Sequence, residues 1–391
     1  MANEFENSDY PQTPASQGRR VFWGLFGFAV TLKDTATDAV RGVFLNTFAL
    51  TLKYLYNQNK KNVIFDNMES QKSNLFILLF LIVLSSCTTK QTPVDAQGRP
   101  LIIRSGTIDV DLVETTPIVF NGKVYRYEYV RKGYWGNDTG DSYFRFVDTE
   151  TGKPTKSFAK GFHLGSAYVH DETVYVTGVD VWDGEQIHVF ASKDLEDWDH
   201  WLAFELPGFG IFNTSMTRDE EGFVLMFEIG KPEDRAGERF TANFAKSKDM
   251  KQWEVLSSNH NYSKDRYTAP HCLRYHKGYY YNFYLEAHDG YEMRVVRSKD
   301  LIQWETSPLN SVLKASEEDK QIANNSLSKK LQKEIANAKN INNSDLDFCE
   351  FNGKLVINYS WGNQRGEEFL AEAYYQGTMA QFLEGWFPTG E

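Results

Sequence analysis

Cysteine, basic charge and long apolar runs are all scarce in this 391-residue sequence. The three cysteines, Cys87, Cys272 and Cys349, are too few for a disulfide framework, and no CxxC pair indicates structural zinc. Acidic side chains outnumber basic ones by 53 to 42, which gives a net charge of -11. Nucleic acid is therefore not an expected partner, because its binding depends largely on basic contacts to phosphate. The chain also lacks a glycine-rich phosphate loop between a strand and a helix, which argues against a nucleotide site.

One unbroken apolar run covers residues 75–84. It is too short to cross a bilayer comfortably, but it has the length of the hydrophobic part of a signal peptide. Lys72 lies just before it, and Ser85, Ser86 and Cys87 follow it. This ending resembles the lipobox of bacterial lipoproteins, which implies a lipid anchor at Cys87 and a place in the bacterial cell envelope, either periplasmic or on the outer-membrane surface. The alternative interpretation is a buried helix followed by a chance cysteine.

The N-terminal part of the chain divides into three segments. Residues 68–87 make a complete lipoprotein signal on their own, beginning at Met68. We therefore interpret residues 1–67 as an over-extended translation start. The alternative is a genuine N-terminal region whose stretch 21–32 associates with a membrane. The polar residues 88–107 predict a flexible tether.

Aromatic residues are abundant at 15%, with 21 Tyr and 28 Phe, and they favour strands. The strand-rich part of the chain contains a repeat. The heptapeptide SKDLEDW at Ser192 returns as SKDMKQW at Ser247 and as SKDLIQW at Ser298, at intervals of 55 and 51 residues. Each copy follows a strand-like run. A period of this size is typical of a propeller, a solenoid or another array.

Five hairpin patterns accompany the repeat, each an alternating run, a polar turn and a second run. They begin at residues 116, 166, 215, 272 and 347. The Asn-Gly pairs at 121–122 and 352–353 are strong hairpin-turn dipeptides. Five such units predict an all-β fold, a five-bladed β-propeller over residues 108–391, in which the sheets are buried by radial stacking.

Two further features fit this architecture. The heptapeptide is predicted to be the turn after the third strand of a blade, where Asp caps the turn and Trp starts or packs the fourth strand. We expect it to lie outside the active site. The polar segment from Ser316 predicts a short helical insertion between blades four and five, with Ser326 or Ser328 as its N-cap.

The repeat and the hairpin NGKVYRYEY at Asn121 resemble the five-bladed β-propeller glycosidases. This superfamily includes the family 43 arabinofuranosidases and xylosidases, the family 32 fructosidases, and the family 117 and 130 relatives. The resemblance covers roughly residues 108–391, and its motif is specific for the fold but weak for the substrate. It implies glycoside hydrolysis by acidic residues at the starts of the innermost strands, on the propeller axis.

Carboxylates stand at the corresponding places of blades one and five. The family 43 pattern opens blade one with Asp-Pro, whereas this chain has Thr116 before the proline and Glu114 two residues, or one strand period, earlier. Superposing the two Asn-Gly-Lys turns places Asp345 on Glu114 and Asp347 on Thr116. These three acids are therefore catalytic candidates, with strand-start capping as the alternative role.

The starts of blades two, three and four depart from the family pattern, because they carry His163, Asn213 and His271 in place of acids. Other acids can reach the same face from the ends of second strands, where an unpaired charge in an apolar run is costly. These are Glu128, Glu228 and Glu286, of which Glu228 and Glu286 are further catalytic candidates. For each of them, structural pairing with an arginine is the alternative interpretation.

Glycoside hydrolysis needs one protonated carboxyl as acid and one carboxylate as base or nucleophile, and apolar surroundings raise the pKa of the acid. We expect Glu286, which lies between Leu285 and Ala287, to be the proton donor, and Asp345 or Glu114 to be the base. The likeness to the family 117 relatives implies that His271 orients the sugar or serves as the acid.

The remaining candidates are predicted to bind the sugar at the rim of the axial site. Trp361 is in register with Glu286 on its own hairpin, so we expect it at the same rim. The loop residues 134–135, Tyr-Trp, are interpreted either as a stacking platform or as exposed decoration. The predicted sugar-binding residues are His163, Asn213, His271, Glu128, Asp265, Arg266, Asn343, Trp361 and Gln364.

The sequence thus predicts an exo-acting, furanosidase- or xylosidase-like glycoside hydrolase that removes terminal sugars from a polysaccharide or oligosaccharide. The alternatives are a glycan-binding lipoprotein that has lost its acids and a phosphorolytic relative, which needs Arg, Lys and His around a phosphate. We expect a monomer without a cofactor. Some relatives carry a metal ion on the axis, but this sequence shows no ligand set for one. Cys272 and Cys349 are expected to be buried thiols, with a disulfide as the alternative.

Overall fold

A computed structural model describes residues 93–133, 140–287 and 290–388 of the chain. By its internal contacts the chain divides into two units, Met1–Lys90 and Gln91–Glu391, and all described residues belong to the second. No helix among these residues is long and apolar enough to span a membrane. The lipobox with Cys87 and the Tyr-Trp pair at 134–135 lie outside the described residues.

Strands dominate the described residues, and the helices between them are short. In chain order the strands are β1 (Ile102–Val110), β2 (Thr116–Phe120), β3 (Lys123–Val130), β4 (Tyr143–Asp148), β5 (His163–His170), β6 (Thr173–Val179), β7 (Gln186–Ser192), β8 (Asp199–Glu205), β9 (Gly210–Arg218), β10 (Phe223–Lys231), β11 (Thr241–Ser247), β12 (Trp253–Val255), β13 (Asn261–Tyr262), β14 (His271–His276), β15 (Tyr279–Ala287), β16 (Tyr291–Ser298), β17 (Trp304–Thr306), β18 (Asn342–Phe351), β19 (Lys354–Gly362) and β20 (Glu368–Tyr375). The helices are α1 (Glu233–Ala236), a 3-10 helix (Glu317–Lys320), α2 (Lys329–Asn337) and α3 (Met379–Gly385).

These strands pair in antiparallel fashion into five blades. Blades one to four contain β2–β4, β5–β8, β9–β12 and β14–β17, and blade five contains β18–β20 with β1 on its outer edge. The first strands β2, β5, β9, β14 and β18 contact one another in this order, and β18 contacts β2 in turn, so they form a closed ring. The predicted all-β fold, a five-bladed β-propeller, is confirmed.

The N-terminal strand completes the C-terminal blade. β1 pairs with β20 along its whole length, from Ile102 opposite Tyr375 to Val110 opposite Phe369. The predicted tether, residues 88–107, is therefore too long, because the chain is strand rather than linker from Ile102 onward. Register shifts after Arg104 and after Thr107 break the alternation of side chains, which hid this strand in the sequence pattern.

Hydroxyl side chains on the first strands join neighbouring blades. The backbone N–H of Ala167 in blade two donates to Thr116 Oγ1 in blade one at 3.4 Å. The N–H of Leu273 in blade four donates to Ser215 Oγ in blade three at 2.9 Å. Neighbouring first strands are thus joined at these points through a side chain rather than through a backbone pair.

Apolar clusters fill the space between blades one and two, two and three, three and four, and four and five. Cys272 and Cys349 are buried and free, as predicted.

Between blade one and the outer strands of blade five, the described residues form a charged network instead of an apolar cluster. Its centre is the fully buried Glu128, which accepts hydrogen bonds from Arg126 Nε at 2.9 Å and from Arg145 Nε at 2.7 Å. Arg126 also lies 4.0 Å from the Asp109 carboxylate of β1.

The repeated heptapeptide forms the same turn in blades two, three and four. In the first copy Ser192 Oγ accepts the N–H of Leu195 at 2.8 Å, and Asp194 Oδ1 accepts the N–H groups of Glu196 and Asp197 at 2.9 Å. The same bonds recur in the other two copies. The tryptophan starts the fourth strand in β12 and β17 and directly precedes it in β8. The predicted structural role of the repeat is confirmed.

The predicted helical insertion between blades four and five is present as the 3-10 helix and α2. Ser328 is the N-cap of α2, and its Oγ accepts the N–H of Leu331. Ser316 caps the 3-10 helix through a capping box with Asp319. The insertion packs beside β1, since the N–H of Thr107 donates to the carbonyl of Gln321 at 2.7 Å.

Candidate functional site

A pocket of about 540 Å³ lies where the first strands of the five blades begin. Each blade contributes to it through residues just before or early in its first strand, so the pocket lies on the propeller axis. Its size is typical of small-molecule sites. A narrower cavity of about 30 Å³ continues below, lined by residues further along the same strands, such as Thr116, Ser166 and Thr214.

The two sides of the pocket differ in chemistry. Blades one and five supply the charged and polar side, which consists of Glu114, Arg131, Ser344, Asp345, Gln364 and Glu368 together with the apolar Val113. Blades two to four and the segment between β13 and β14 supply a mostly apolar side, which consists of Leu164, Trp182, Phe212, Asn213, Phe240, Tyr267, Ala269, Pro270 and Leu285. A ligand in the pocket therefore has carboxylates on one side and aromatic rings on the other.

Glu114 and Asp345 occupy equivalent places in blades one and five. Both have left-handed backbone, with φ of 47° and 54°. Asp345 lies in a register shift of the β18–β19 pair, between Ser344 and Asp347. A bulge at the start of a strand turns a side chain away from the alternation of the sheet and is common next to active sites. The structure thus brings together the two carboxylates that the superposed Asn-Gly-Lys turns had paired.

The carboxyl group of Glu114 is desolvated, and this favours its neutral, protonated form. Its Oε2 is buried and has no hydrogen-bond partner among the described residues. Burial raises the pKa of Glu114 to about 8, with help from the charges of Asp345 and Glu368, while Arg131 acts in the opposite direction. Glu114, which lines the pocket, therefore carries a proton near neutral pH.

Asp345 has more hydrogen-bond support for its ionised form. Its Oδ2 accepts hydrogen bonds from the hydroxyls of Ser344 and Ser360. Burial raises the pKa of Asp345, whereas the two serine hydroxyls, Arg131 and the backbone N–H of Glu114 lower it. Of this pair, Asp345 is accordingly the carboxyl group better suited to carry the negative charge.

Glu368 is a third pocket carboxylate, and the sequence analysis missed it. It accepts hydrogen bonds from Asn342 Nδ2 at 3.1 Å and from the N–H of Gln364 at 3.0 Å. Burial and the neighbouring Asp345 raise the pKa of Glu368 to about 8. Glu368 begins β20, the third strand of its blade, and third strands run parallel to first strands. An acid at the start of a third strand is therefore a usable sequence signal for this site, as it is at the start of a first strand.

Beneath the pocket, Glu228 and His271 form a hydrogen-bonded pair with fully buried side chains. Glu228 Oε1 lies 2.8 Å from His271 Nδ1, and Asn213 Nδ2 donates to Glu228 Oε2 at 2.9 Å. Burial raises the pKa of Glu228 well above its usual range and lowers the pKa of His271 to about 3. The pair is therefore neutral overall, with one proton shared between Oε1 and Nδ1.

In a neutral pair of this kind the second ring nitrogen, Nε2, carries the other proton. Nε2 of His271 and Oδ1 of Asn213 are buried and have no hydrogen-bond partner among the described residues. Both side chains line the narrow cavity together with Glu114 and Asp345. The floor of the site therefore contains two buried polar atoms without a hydrogen-bond partner among the described residues.

Glu286, the predicted proton donor, is held beside the pocket rather than in its lining. Its carboxylate accepts hydrogen bonds from Arg266 at 3.2 Å and from Tyr284 Oη at 2.9 Å, and Arg294 lies 3.5 Å away. The preceding residue, Leu285, takes the lining position. Asp265 pairs with Arg266 at 2.9 Å and is largely exposed to solvent.

Trp361 does not reach the rim, which corrects the expectation from its register. It is fully buried, its ring stacks on Phe369 at 4.5 Å, and its Nε1 donates to Thr107 Oγ1 at 2.9 Å. The cause is β1 and the insertion, which contact each other at Thr107 and cover this face of blade five. Gln364, from the same region, does line the pocket.

Several other predicted residues do not line the pocket. Their side chains pair with residues of the same blade, of a neighbouring blade or of the insertion. Asp347 lines the narrow cavity and forms an ion pair with Arg274. His163 Nδ1 lies 2.8 Å from Tyr129 Oη. Glu128 is held by its two arginines, and Asn343 donates to Asp319 of the insertion at 3.0 Å.

The described residues contain no group of three or more His, Cys, Asp or Glu side chains that could hold a metal ion.

No family model matches the chain, and no curated protein matches it. Solved structures similar to it include a glycoside hydrolase at 13% identity, which covers 71% of this chain and 93% of that chain with a TM-score of 0.49. A xylan β-1,4-xylosidase from Bacillus halodurans C-125 is 14% identical over 69% of this chain and 54% of that chain, with a TM-score of 0.46. An exo-1,5-α-L-arabinanase from a bovine ruminal metagenomic library is 11% identical over 68% and 93%, with a TM-score of 0.45. These similarities concern the fold.

Proposed function

We propose that the chain is a glycoside hydrolase. The observation that carries the proposal is the pair Glu114 and Asp345 on one side of an axial pocket whose other side is aromatic. Glycoside hydrolysis uses one carboxylic acid to protonate the leaving oxygen and one carboxylate as base or nucleophile. Glu114, whose pKa is raised to about 8, supplies the protonated form, and Asp345, which has more hydrogen-bond support for its charge, is the member better suited to be the carboxylate.

In the proposed mechanism Glu114 is the acid. Its raised pKa keeps it protonated near neutral pH, and a rotation of its side chain brings the buried, unbonded Oε2 to a glycosidic oxygen in the pocket. Asp345, oriented by Ser344 and Ser360, stabilises the positive charge that develops on the sugar and acts as base or nucleophile. Glu114 takes the role expected of Glu286, whose carboxylate is already bound by two arginines and a tyrosine.

The shape of the site supports action at the end of a glycan. Below the pocket of about 540 Å³, the cavity narrows to about 30 Å³, so a sugar chain cannot pass through along the axis. A pocket with a floor accepts a terminal sugar and leaves the rest of the glycan outside. This favours an exo-acting enzyme on a polysaccharide or oligosaccharide.

The first experiment is hydrolysis of aryl glycosides by the full chain, including α-L-arabinofuranoside, β-D-xyloside and β-D-galactofuranoside. We expect turnover of at least one glycoside, and a loss of roughly 100-fold or more in kcat for Glu114→Gln and for Asp345→Asn. Asp265→Asn, which changes an exposed acid near the pocket, is the matched control and keeps its activity. Sugar binding by calorimetry without any turnover would favour a glycan-binding protein instead.

We propose in addition that Cys87 carries a lipid anchor and holds the enzyme at the bacterial cell envelope, where external polysaccharide is accessible. Support comes from the apolar run 75–84 and the Ser-Ser-Cys ending. In cells, Cys87→Ala moves the chain from the membrane fraction to the soluble fraction, whereas Cys349→Ala does not. Membrane association that survives Cys87→Ala contradicts the anchor.

A further inference from the structure

Arg131 is the one cationic side chain among the described residues that line the pocket. It directly follows β3, so it stands at the end of the second strand of blade one. Its side chain is only 5% exposed. The same lining contains the carboxyl groups of Glu114, Asp345 and Glu368. One buried positive charge therefore shares the pocket with three groups that can each carry a negative charge.

The positive charge of Arg131 is permanent, because a guanidinium group does not lose its proton in proteins. Its central carbon lies 5.8 Å from the centre of the Tyr129 ring, and its Nη2 lies 4.0 Å from Asp111 Oδ1. The Asp111 side chain is 36% exposed, so water weakens this contact. Beneath the pocket, Glu228 and His271 are neutral as a pair. The desolvated carboxyl groups of the pocket are screened from Arg131 far less than Asp111 is.

The three pocket carboxyl groups cannot all be ionised at low cost, because like charges in a desolvated site raise one another's pKa values. Burial and neighbouring carboxylates raise the pKa values of Glu114 and Glu368 to about 8, and Arg131 opposes the rise in both. Burial also raises the pKa of Asp345, which two serine hydroxyls and Arg131 lower. Two of the three groups thus hold a proton near neutral pH, and the charge of Arg131 matches one carboxylate.

We propose that Arg131 is a positioning residue that keeps Asp345 ionised while Glu114 stays protonated, so that the pocket contains one acid and one base near neutral pH. Arg131 acts through these carboxyl groups and not on the sugar. Without its charge the pocket takes up one more proton, and Asp345 loses its carboxylate form. This inference rests on the proposed function and specifies what controls the acid and base of that site.

The pH profile of kcat/KM for the Arg131→Gln variant of the full chain tests the proposal. Loss of the cation raises the pKa values of Asp345 and Glu114 together, so both limbs of the profile should move to higher pH by roughly one unit or more. We expect kcat/KM to fall roughly 10-fold at pH 6 and to recover at pH 8. A loss that is the same at every pH shows a merely structural role and overturns the proposal.

Two further variants separate the charge of Arg131 from its bulk. Arg131→Lys keeps a positive charge and should return both limbs of the profile close to their wild-type positions. Arg365→Gln is the matched control, because Arg365 is exposed and lies beside Gln364 without lining the pocket. Its profile should be that of the wild type. A profile of Arg131→Lys that matches Arg131→Gln, or an equal shift in Arg365→Gln, contradicts the proposal.

Carboxyl-carbon NMR of the full chain with labelled aspartate measures the same protonation without any turnover. The signal of Asp345 is the one that disappears in Asp345→Asn. In the wild type we expect a carboxylate signal for Asp345 at pH 7, and in Arg131→Gln a midpoint of its titration at higher pH. The wild-type measurement stands even if Arg131→Gln does not fold. A protonated Asp345 at pH 7 in the wild type overturns the proposal.

The two measurements also separate failure of this inference from failure of the proposed function. If no glycoside is hydrolysed, but the titration of Asp345 moves to higher pH in Arg131→Gln, the hydrolase proposal fails and the role of Arg131 stands. If glycosides are hydrolysed and the titration of Asp345 is the same in both chains, the hydrolase proposal stands and this inference fails. An unchanged titration without hydrolysis contradicts both.

Discussion

At the residue scale, the protonation of Glu114 is the feature from which the proposed chemistry follows. With its pKa raised to about 8, Glu114 is protonated near neutral pH and loses its proton as pH rises through 8. We predict that kcat/KM falls above this pH because the acid form disappears. The pH profile of the wild-type chain checks this, and a rate that rises from pH 7 to pH 9 contradicts it.

A change of leaving group distinguishes an acid from a base at this position. An alkyl glycoside needs a proton on its leaving oxygen, whereas a dinitrophenyl glycoside leaves without one. We predict that Glu114→Gln slows alkyl glycoside hydrolysis by roughly 100- to 10,000-fold and dinitrophenyl glycoside hydrolysis far less. Asp345→Asn, which removes the base or nucleophile, should slow both. Equal losses for both substrates in Glu114→Gln contradict the acid role.

Two fully buried glutamates make a matched comparison of charge states. Glu228 shares a proton with the neutral His271, whereas Glu128 accepts hydrogen bonds from two arginines. Glutamine resembles a protonated glutamate, so Glu228→Gln is predicted to change the free energy of unfolding by less than about 1 kcal/mol. Glu128→Gln leaves Arg126 and Arg145 without their counter-charge and should cost roughly 3–5 kcal/mol.

Chemical denaturation at pH 7 measures both free energies of unfolding. Similar values for the two variants would show that the two carboxyl groups share one charge state. The contrast also explains why the hydrophobic periodicity of the sequence did not distinguish the surroundings of Glu128 from those of Glu228. Each follows an apolar run at the end of a second strand, and the distinction comes from neighbours distant in the chain.

At the element scale, the repeated turn is an independent unit of stability. Asp249 accepts the backbone N–H groups of Lys251 and Gln252 and closes the loop before β12. We predict that Asp249→Ala lowers the thermal unfolding midpoint by roughly 2–4 °C, because two N–H groups lose their acceptor. Lys248→Ala, at an exposed neighbour, is the control and leaves the midpoint unchanged. Equal midpoints for both variants contradict the role of the Asp.

Elements with local signals were predictable from the sequence, and elements set by distant contacts were not. Turn dipeptides and the heptapeptide are local, and they gave five hairpins and the blade order. The equivalence of Glu114 and Asp345 followed from two similar turns. The burial of Trp361 depends on Thr107 and the insertion, and the network of Glu286 depends on arginines from separate segments. No pattern within one hairpin contains that information.

At the scale of the whole molecule, the buried pocket carboxylates set how stability depends on pH. The pKa values of Glu114 and Glu368 are raised from 4.5 to about 8, so the folded state holds protons that the unfolded chain releases above pH 4.5. Their contribution is present below pH 4.5 and is lost as pH rises to about 8. The turn residues Asp194, Asp249 and Asp300 behave oppositely. Backbone hydrogen bonds lower their pKa values from 3.8, so their contribution is lost as pH falls below that value.

We therefore predict that thermal stability is highest near pH 4–5 and falls toward pH 8. The double variant Glu114→Gln/Glu368→Gln should show a smaller fall above pH 5, because neither side chain then titrates, while the raised pKa values of Asp345 and Glu228 maintain the rest of the fall. Unfolding midpoints measured in steps across pH 3–9 check this. A wild-type maximum at pH 7–8, or an unchanged slope in the double variant, contradicts the raised pKa values.

The closure of blade five by β1 has a consequence for how the protein is made. Ile102 is synthesised long before Tyr375, its partner on β20, so β1 waits for almost the whole domain before it can pair. Contacts between such distant segments form slowly because a long loop must close first. Blades two to four can form while the chain is still being extended, whereas the ring, and with it the pocket on the axis, is completed after the last strand is available.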